Sequence, residues 1–320
     1  MEIKDLTLLV ANPWVNDYVS EIQTRVPDIR IISSILMNEY SEEIHADVRE
    51  VDIILSFAAL VKSQPRMEHL KWFQSLAAGT DHIVESGVLN RDVILTSASG
   101  VAAIGVSEFV MTMMLALVKR FPMLVNNQWE KRWGLWCSEE LHGKTLGILG
   151  LGHLGKPIAK TARMGFDMRV LAFDLFVEGH EYADYVSRDL RAVLDASDIV
   201  VVSLPLNRET RGLLNETTLK WMKRSAFLIN VGRGEVIERD ALVNALKKKW
   251  IAGAGLDVFW GEASGMMLSP DDELWGMDNV IISPHTAWFS ENYHRRAVDL
   301  FIENLRRFVK GEGMINRMTW

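Results

Sequence analysis

Short apolar runs alternate with helical spacing along almost the whole chain, and this alternation is the strongest constraint on its fold. Such alternation is typical of βαβ units that build a parallel sheet. The first hundred residues contain five predicted strands: Leu6–Val10, Ile29–Ile32, Val51–Phe57, Trp72–Leu76 and Val93–Thr96. Six more are predicted downstream: Thr145–Leu149, Arg169–Phe173, Asp198–Leu204, Ala226–Val231, Ile251–Leu256 and Val280–Ser283. The pattern predicts an α/β protein with parallel sheets.

The two series of strands predict two domains, which is also the expectation for a chain of 320 residues. No glycine-rich loop follows a strand of the first series, so this half is predicted to lack a nucleotide site. The second series supplies the six strands of a doubly wound dinucleotide-binding domain. Apolar spacing over residues 290–310 predicts a final helix that packs back onto the first domain. We therefore predict a substrate domain of residues 1–98 and 289–320, and a dinucleotide-binding domain of residues 99–288.

The segment between the two series holds a long helical stretch and a tryptophan-rich arm. The helical stretch opens at Ser99, and Pro122 ends it or closely follows it. Its apolar run, residues 101–118, is interrupted by Glu108, which favours a buried helix over a membrane span. Residues 126–142 are predicted as a surface arm or a linker. Packing or interface roles are more common than active-site roles for its tryptophans, which are Trp129, Trp133 and Trp136.

Charge and cysteine content narrow the classes of function. A net charge of −7 and a pI near 5.7 argue against nucleic acid or an acidic membrane as the main partner. Cys137 is the single cysteine, so no intrachain disulfide can form. The N-terminus is charged where a signal peptide needs an apolar core, and both features predict a cytoplasmic protein. The histidines show no spacing typical of a zinc site, so no metal is predicted.

A glycine loop, Gly150-Leu-Gly-His-Leu-Gly155, follows the predicted strand Thr145–Leu149 and opens a helix. In that context Gly150 would allow the tight turn, Gly152 would let the backbone approach a pyrophosphate, and Gly155 would let the helix pack closely. A lone motif of this kind is weak evidence, but the strand before it and the helix after it favour a dinucleotide site over a plain turn. The predicted cofactor residues of the loop are Gly150, Gly152, His153, Leu154 and Gly155.

Asp174 indicates which dinucleotide binds. It ends the next predicted strand, about 20 residues after the glycine loop, where a ribose diol needs an acceptor. A carboxylate accepts hydrogen bonds from the ribose hydroxyls of NAD and repels the 2′-phosphate of NADP. Leu175 and Phe176 follow it, where an NADP site would often place an arginine. The sequence therefore predicts NAD as the cofactor, and the competing interpretation is a solvated aspartate at a strand end.

Three further residues, each just after a predicted strand, suggest the chemistry: Arg233, Glu262 and His285. Ligands of an open α/β sheet bind at this edge of the strands. His285 could donate a proton to a substrate carbonyl oxygen, while Glu262 orients its ring and favours its charged form. Arg233 offers a planar fork for a substrate carboxylate. Singly, each residue is more often a solvated side chain, but together they predict the catalytic residues of a 2-oxo acid reductase.

These motifs resemble those of the D-isomer-specific 2-hydroxyacid dehydrogenase family. The resemblance covers most of the chain and is strongest from Leu141 to His285. It is carried by the segments Leu76–Asp81, Leu146–Gly155, Ser203–Thr210, Leu228–Gly234, Gly255–Phe259 with Glu262, and Ser283–Ala287. The chain departs from the commonest family pattern at residues 263–268 and at Trp288, which leaves the size and shape of the substrate open.

The resemblance implies properties that the spacing alone does not give. These are a Rossmann dinucleotide-binding domain, a flavodoxin-like substrate domain, D stereochemistry and a homodimer. Backbone N–H groups near Ala78 and Gly79 would join Arg233 in binding the substrate carboxylate, and Asp257 would contact the nicotinamide carboxamide. The cofactor contacts implied in this way are Leu204, Pro205, Thr210, Val231, Gly232 and Asp257.

A second class of function stays open at this point. The same fold has been reused for regulatory proteins that sense NAD(H) and bind partner proteins, and such sensors can keep the three catalytic residues. Turnover with 2-oxo acids would separate the two hypotheses. A formate dehydrogenase is disfavoured, because its histidine partner is a glutamine where this chain has Glu262. Glyoxylate, hydroxypyruvate, pyruvate and bulkier 2-oxo acids all remain candidate substrates.

We predict that Asp174 sets a preference for NAD over NADP. Replacing Asp174 with Ala should weaken NADH binding, because the ribose loses its acceptor, and should improve NADPH binding, because the repulsion of its 2′-phosphate is relieved. Titration of the wild type and the variant with both cofactors measures the change. A wild type that prefers NADPH would contradict this role for Asp174.

Overall fold

The computed structural model describes residues 2–11, 16–34, 49–57, 67–80, 83–84, 89, 92–262 and 268–319. The chain divides into two compact units. Unit 1 comprises Met1–Val101 and Ser290–Trp320, and unit 2 comprises Ala102–Phe289. The limits predicted from the sequence, after residues 98 and 288, lie close to the limits of these units, after residues 101 and 289.

Unit 1 is built on a five-stranded parallel sheet with the order β2-β1-β3-β4-β5. In this order β2 and β3 lie on opposite sides of β1, as they do in flavodoxin-like domains. The strands are β1 (Thr7–Ala11), β2 (Arg30–Ser34), β3 (Ile53–Ser56), β4 (Trp72–Ser75) and β5 (Ile94–Thr96). With helices numbered in chain order, the unit contains α1 (Asn16–Arg25) and α8 (Tyr293–Lys310). The predicted fold class is confirmed for this half of the chain.

Helix α8 packs onto the sheet of unit 1, which is the packing that its apolar spacing predicts. The rings of Trp72 on β4 and Phe301 on α8 are stacked, with their centroids 5.2 Å apart. Asn304 is fully buried beside them, and its side-chain amide donates to the Gln74 Oε1 at 3.0 Å. The Asn304 Oδ1 accepts from the N–H of Ile315 at 2.8 Å, so its polar atoms are satisfied inside the core.

Unit 2 is built on a seven-stranded parallel sheet with the order β12-β11-β10-β9-β6-β7-β8. Its first six strands follow the doubly wound dinucleotide-binding order, and β12 extends one edge. The strands are β6 (Thr145–Leu149), β7 (Arg169–Phe173), β8 (Tyr185–Ser187), β9 (Ile199–Val202), β10 (Phe227–Asn230), β11 (Gly253–Leu256) and β12 (Val280–Ile282). The helices are α2 (Ala103–Val118), α3 (Phe121–Trp129), α4 (Gly155–Phe166), α5 (Leu190–Ala196), α6 (Glu216–Leu219) and α7 (Arg239–Lys247).

The sequence analysis missed one strand of this sheet, so the prediction of six strands was wrong. Strand β8 is only three residues long and pairs with β7 at the edge of the sheet. Tyr185 at its start is exposed and Val186 is half-buried, because an edge strand of this length has little surface to bury. A segment so short lacks the run of apolar residues by which the other strands were predicted.

The long apolar stretch before residue 120 forms helix α2, and a second helix, α3, follows it before the sheet begins. Helix α2 is largely buried, and Met113 lies so close to β11 that only a glycine, Gly255, leaves room for its sulfur. It ends at Val118, and Pro122 lies in the first turn of α3, where a proline is favoured. Among the described residues no helix has the length and apolar character needed to cross a membrane.

Candidate active site

The predicted functional residues of unit 2 follow the carboxyl ends of its parallel strands. Because all seven strands point the same way, the loops after β6, β7, β9, β10, β11 and β12 meet at one edge of the sheet. Strands β6 and β9 are neighbours, and the chain leaves them towards opposite sides of the sheet. Their loops therefore diverge at the topological switch point, where a crevice for a ligand forms.

The three glycines of the loop after β6 are required for three different reasons. Gly150 has a φ of +97°, and its N–H donates to the Phe173 carbonyl at 2.9 Å. A Cβ on Gly155 would lie 2.1 Å from the Gly150 carbonyl oxygen, so any side chain there would push the helix away from the loop. A Cβ on Gly152 would meet nothing within 4 Å. The space beside Gly152 is open, as the close approach of a pyrophosphate requires.

The backbone after Gly150 fits a phosphate group. Among the described residues, the N–H groups of Gly152, His153 and Leu154 have no protein acceptor, and they lie just before the first turn of α4. The His153 side chain is exposed and Leu154 is half-buried. Unpaired N–H groups and the positive end of the helix dipole together favour an anion at this position.

Asp174 holds its own loop as well as facing the predicted ribose site. Its carboxylate accepts from the N–H groups of Leu151 at 2.8 Å, Phe176 at 2.8 Å and Val177 at 2.9 Å. Partial burial tends to raise the pKa of Asp174, but these three hydrogen bonds and the nearby Lys156 bring it below its usual range. This stabilisation is present at neutral pH and is lost as the pH falls through the lowered pKa of the folded state. The sequence analysis did not foresee the three backbone contacts.

The loop after β9 is organised by its own polar side chains. Ser203 donates from its hydroxyl to the Gly150 carbonyl at 2.8 Å, which ties this loop to the glycine loop. Thr210 donates to the Pro205 carbonyl at 2.6 Å and accepts from the Asn207 N–H at 2.8 Å. Leu204, Pro205 and Thr210 are thus placed in an ordered segment next to Gly150, and the Thr210 hydroxyl is engaged within it.

The loop after β10 presents Arg233 from a tightly built turn. Asn230 is buried, accepts from the Gly232 N–H at 3.1 Å and donates to the Arg233 carbonyl at 2.9 Å. A Cβ on Gly232 would lie 2.7 Å from the Leu204 carbonyl oxygen, which explains the glycine, and Val231 before it is buried. The half-buried Arg233 donates from Nη1 to the Gly232 carbonyl at 2.8 Å. Within the described residues its guanidinium has no carboxylate partner.

The loops after β11 and β12 bring Glu262 and His285 into direct contact. The His285 Nδ1 lies 2.6 Å from the Glu262 Oε2, and the Glu262 Oε1 accepts from the Phe259 N–H at 2.6 Å. Glu262 is the less exposed of the two, with 24% side-chain exposure against 43% for His285. Because the carboxylate fixes Nδ1, the Nε2 atom of the ring is left to face a ligand. His285 has a φ of +52°, which is uncommon for a residue with a side chain.

Asp257 is buried on the same loop as Glu262. Its Oδ1 accepts from the Ser283 hydroxyl at 2.6 Å and from the Thr286 N–H at 2.9 Å, and its Oδ2 accepts from the Ala287 N–H at 3.2 Å. These contacts join the loop after β11 to the segment that carries His285. They are contacts within the protein, whereas the family resemblance assigns Asp257 to the nicotinamide.

The loop that carries Arg233 also rests directly on the loop that carries Glu262. A Cβ on Gly234 would lie 2.3 Å from the Phe259 carbonyl oxygen, and the Glu235 side chain accepts from the Gly261 N–H at 3.0 Å. Sequence reasoning missed Asn230, Ser203 and Glu235 as supports of the site. The position of Asn230 and Ser203 at strand ends was the available signal, because buried polar residues there need loop partners.

Ala78 and Gly79 belong to unit 1, where they follow β4. Among the described residues, their N–H groups have no protein acceptor, so they can donate to a ligand. The preceding residues are fixed: the Tyr293 hydroxyl donates to the Leu76 carbonyl, and the Ala77 carbonyl accepts from the Ala98 N–H at 2.9 Å. Burial raises the pKa of Tyr293 well above its usual range, so this hydroxyl stays protonated and keeps its hydrogen bond.

Comparison with known proteins agrees with this arrangement. The family model described as "D-isomer specific 2-hydroxyacid dehydrogenase, NAD binding domain" matches residues 111–287. A protein of Thermofilum pendens named glyoxylate reductase is 34% identical over 291 residues, which cover 85% of this chain and 82% of that protein. The chain belongs to the D-isomer-specific 2-hydroxyacid dehydrogenase family. Membership confirms the predicted enzyme class, an NAD(P)-dependent oxidoreductase of 2-hydroxy and 2-oxo acids.

Two crystal structures of family members resemble the whole chain. A D-isomer-specific 2-hydroxyacid dehydrogenase family protein from Aeromonas salmonicida has a TM-score of 0.86 at 28% identity and covers 98% of this chain and 99% of its own. A D-isomer-specific 2-hydroxyacid dehydrogenase from Xanthobacter autotrophicus, in complex with NADPH and MES, has a TM-score of 0.83 at 31% identity and covers 98% of both chains.

The geometry of the glycine loop predicts different outcomes for two neighbouring substitutions. Gly152→Ala should leave the thermal unfolding temperature of the free protein almost unchanged, because its Cβ meets no atom, but should weaken NADH binding by about tenfold or more. Gly155→Ala should cost about 1–3 kcal/mol of stability, because its Cβ meets the Gly150 carbonyl. Thermal unfolding and NADH titration of both variants provide the measurement. Wild-type NADH affinity in Gly152→Ala would contradict the placement of the phosphates.

Proposed function

We propose that the protein reversibly reduces a small 2-oxo acid to the D-2-hydroxy acid with NADH. The observation that carries this proposal is the contact between His285 and Glu262, at 2.6 Å, on the sheet edge that also presents the guanidinium of Arg233. A proton donor, the carboxylate that orients it and an uncompensated cation are the groups that reduction of a 2-oxo acid requires. The geometry of the glycine loop supports NAD(H) at the same edge of the sheet.

His285 is proposed as the proton donor. Bound NADH would supply the hydride that adds to the carbonyl carbon, so negative charge develops on the carbonyl oxygen of the substrate. The imidazolium Nε2 would give its proton to that oxygen, and in the reverse direction the neutral ring would take the hydroxyl proton. Glu262 holds Nδ1 and so fixes both the direction of the ring and its tautomer.

Arg233 is proposed to bind the substrate carboxylate and to polarise the carbonyl. A half-buried guanidinium without an acidic partner in the described residues keeps its full charge available for a ligand. Its fork can span a carboxylate and the neighbouring carbonyl oxygen. The N–H groups of Ala78 and Gly79 are proposed as further donors to the carboxylate. This assignment rests on the family resemblance and on their lack of acceptors in the described residues.

The remaining sequence assignments stay proposals of the same kind. Leu204, Pro205, Thr210, Val231 and Gly232 are proposed to line the cofactor on the loops next to Gly150. Asp257 is proposed to contact its nicotinamide carboxamide. We favour small 2-oxo acids such as glyoxylate as substrates, because relatives more than 30% identical are named glyoxylate reductases. The single cysteine supports the proposed cytoplasmic location.

We also propose that the protein is a homodimer. Helix α3 buries none of its residues, and the apolar side chains on one of its faces are exposed. The arm that follows continues this surface with two fully exposed apolar side chains. The exposed residues are Phe121, Leu124, Val125, Trp129, Trp133 and Leu135. An apolar surface of this kind marks a protein interface, and a second copy of the chain can cover it by two-fold symmetry.

The proton-donor role predicts a large loss of rate in His285→Ala. Turnover of the preferred 2-oxo acid should fall by about 10²–10⁴-fold, which is the contribution of positioned proton transfer, while NADH still binds. A panel of 2-oxo acids assayed with NADH identifies the substrate first. His142→Ala, an exposed histidine before β6, serves as the control and should keep wild-type turnover. A wild type that binds NADH but turns over no 2-oxo acid would favour the sensor hypothesis.

The anchoring role predicts that Arg233→Lys is not a conservative change. Lysine keeps the charge but offers a single point donor, so the KM for the 2-oxo acid should rise and kcat should fall, because the carbonyl is misplaced for hydride transfer. NADH affinity should change little. Steady-state kinetics of Arg233→Lys measure both effects. Arg163→Lys is the control, because Arg163 pairs with Asp184 at the end of α4 and not with the substrate. A loss confined to NADH binding would count against Arg233 as the anchor.

The proposed dimer predicts a dissociated protein when a charge is placed on the apolar face of α3. Trp129→Asp should shift the molar mass in light scattering from that of two chains to that of one, because a buried unpaired carboxylate opposes association. Met164→Asp, which changes an exposed apolar residue on α4, should leave the mass unchanged. A wild-type protein with the molar mass of one chain would contradict the proposed homodimer.

A further inference from the structure

The segment 259–262, which ends at the carboxylate proposed to orient the catalytic imidazole, is held against the loop after β10. The two backbones meet at Gly234, where a Cβ would lie 2.3 Å from the Phe259 carbonyl oxygen. The Trp260 indole donates from Nε1 to the Ile237 carbonyl at 2.6 Å. Both contacts hold the first half of the segment, before its backbone turns.

The second half of the segment depends on one side chain, that of Glu235. The N–H of Gly261 donates to the Glu235 Oε1 at 3.0 Å, and among the described residues this N–H has no other acceptor. Gly261 has a φ of +84°, in the left-handed region that glycine adopts readily, so the chain turns directly before Glu262. The half-buried Glu235 carboxylate therefore holds the turn from which Glu262 leaves.

Glu235 is itself fixed in relation to Arg233. A short 3₁₀ helix starts directly after Arg233, and the Val236 N–H donates to the Arg233 carbonyl at 3.3 Å. The Glu235 carbonyl accepts from the Gly212 N–H at 2.9 Å, so its backbone is also tied to the loop after β9. The Glu235 side chain thus joins the turn that presents Arg233 to the turn that presents Glu262.

We propose that Glu235 is a positioning residue of the reaction, which holds Glu262 in place by accepting the Gly261 N–H. Glu262 accepts from the Phe259 N–H through Oε1 and contacts the ring of His285 through Oε2. Both contacts depend on the backbone of the segment 259–262, so a movement of that backbone would reach the imidazole. The role rests on the proposed function, in which His285 transfers the proton.

This role makes the reach of the Glu235 side chain decisive and its charge unimportant. A backbone N–H needs an acceptor oxygen at the right distance, and the oxygen of a neutral amide can supply it. Glutamine keeps such an oxygen on a side chain of the same length. Aspartate keeps the charge but is one methylene shorter, so its carboxylate is withdrawn from the Gly261 N–H.

Three substitutions at this position test the role. Glu235→Ala and Glu235→Asp should each lower kcat for the preferred 2-oxo acid by about tenfold or more, because a small misplacement of catalytic groups has a large effect on rate. Glu235→Gln should keep kcat within about twofold of wild type, since an equivalent acceptor remains. The dissociation constant for NADH should stay within about twofold of wild type in all three, since the glycine loop is not changed.

Glu238→Ala serves as the matched control and should keep wild-type kcat. Glu238 is an exposed glutamate three positions further along the same loop, and its carboxylate lies beside Gly212 instead of the loop after β11. The control therefore removes the same charge and the same number of side-chain atoms without releasing Gly261.

Amide exchange measured by mass spectrometry follows the support of the turn without any turnover. Exchange in the peptide spanning residues 257–262 should be faster in Glu235→Ala and Glu235→Asp than in the wild type. It should be unchanged in Glu235→Gln and in Glu238→Ala. Exchange in the strands should be unchanged in every variant, which separates a local release of the loop from a general loss of stability.

Each result supports or overturns the proposal. Wild-type kcat in Glu235→Asp, or a kcat as low in Glu235→Gln as in Glu235→Ala, would overturn it. An NADH dissociation constant raised about tenfold or more with wild-type kcat at saturating NADH would assign Glu235 to cofactor binding and overturn it as well. If Glu235→Ala fails to fold, Glu235→Asp decides. A wild type that reduces no 2-oxo acid would defeat the proposed function alone, since the exchange experiment still tests the support of the turn.

Discussion

Direct contact between backbone segments holds the loops at the carboxyl edge of the unit 2 sheet together. A Cβ on Gly150 would make a tight contact of 3.2 Å with the Ser203 carbonyl, and a Cβ on Gly232 would lie only 2.7 Å from the Leu204 carbonyl oxygen. Gly234 lies against Phe259 in the same way. The glycine loop, the arginine loop and the loop of Glu262 therefore form a continuous row. Any side chain between them would separate the cofactor loop from the proposed catalytic residues.

The charged side chains of these loops differ in the partners that compensate their charge. Asp174 and Asp257 accept hydrogen bonds from backbone N–H groups, so their charges stabilise the loops that carry them. Glu262 is held by one N–H and faces His285, which leaves its other oxygen for the ring. Arg233 is the cation of the row without a carboxylate partner among the described residues. An anionic substrate is the partner that this distribution favours.

The sequence alone predicted most of the architecture, because the responsible signals are local. Strand and helix periodicity gave the two parallel sheets, and the spacing of Gly150, Gly152 and Gly155 gave the position of the cofactor loop. Arg233, Glu262 and His285 were found because each stands just after a strand. Strand β8 was missed because three residues at a sheet edge carry too little apolar pattern. Asn230 was missed because its position at a strand end was the available signal, and only its hydrogen bonds show which loop it supports.

The sequence by itself thus determined the fold class, the kind of cofactor and the residue types available for proton transfer and carboxylate binding. Only the tertiary structure decided which carboxylate serves which purpose. Asp257 and Glu262 lie on one loop and look equivalent in sequence, yet one is buried under the turn of His285 and the other contacts its ring. The physical reason is that local periodicity sets where a chain turns. Contacts between loops that are distant in sequence set which polar atoms are satisfied and which remain for a ligand.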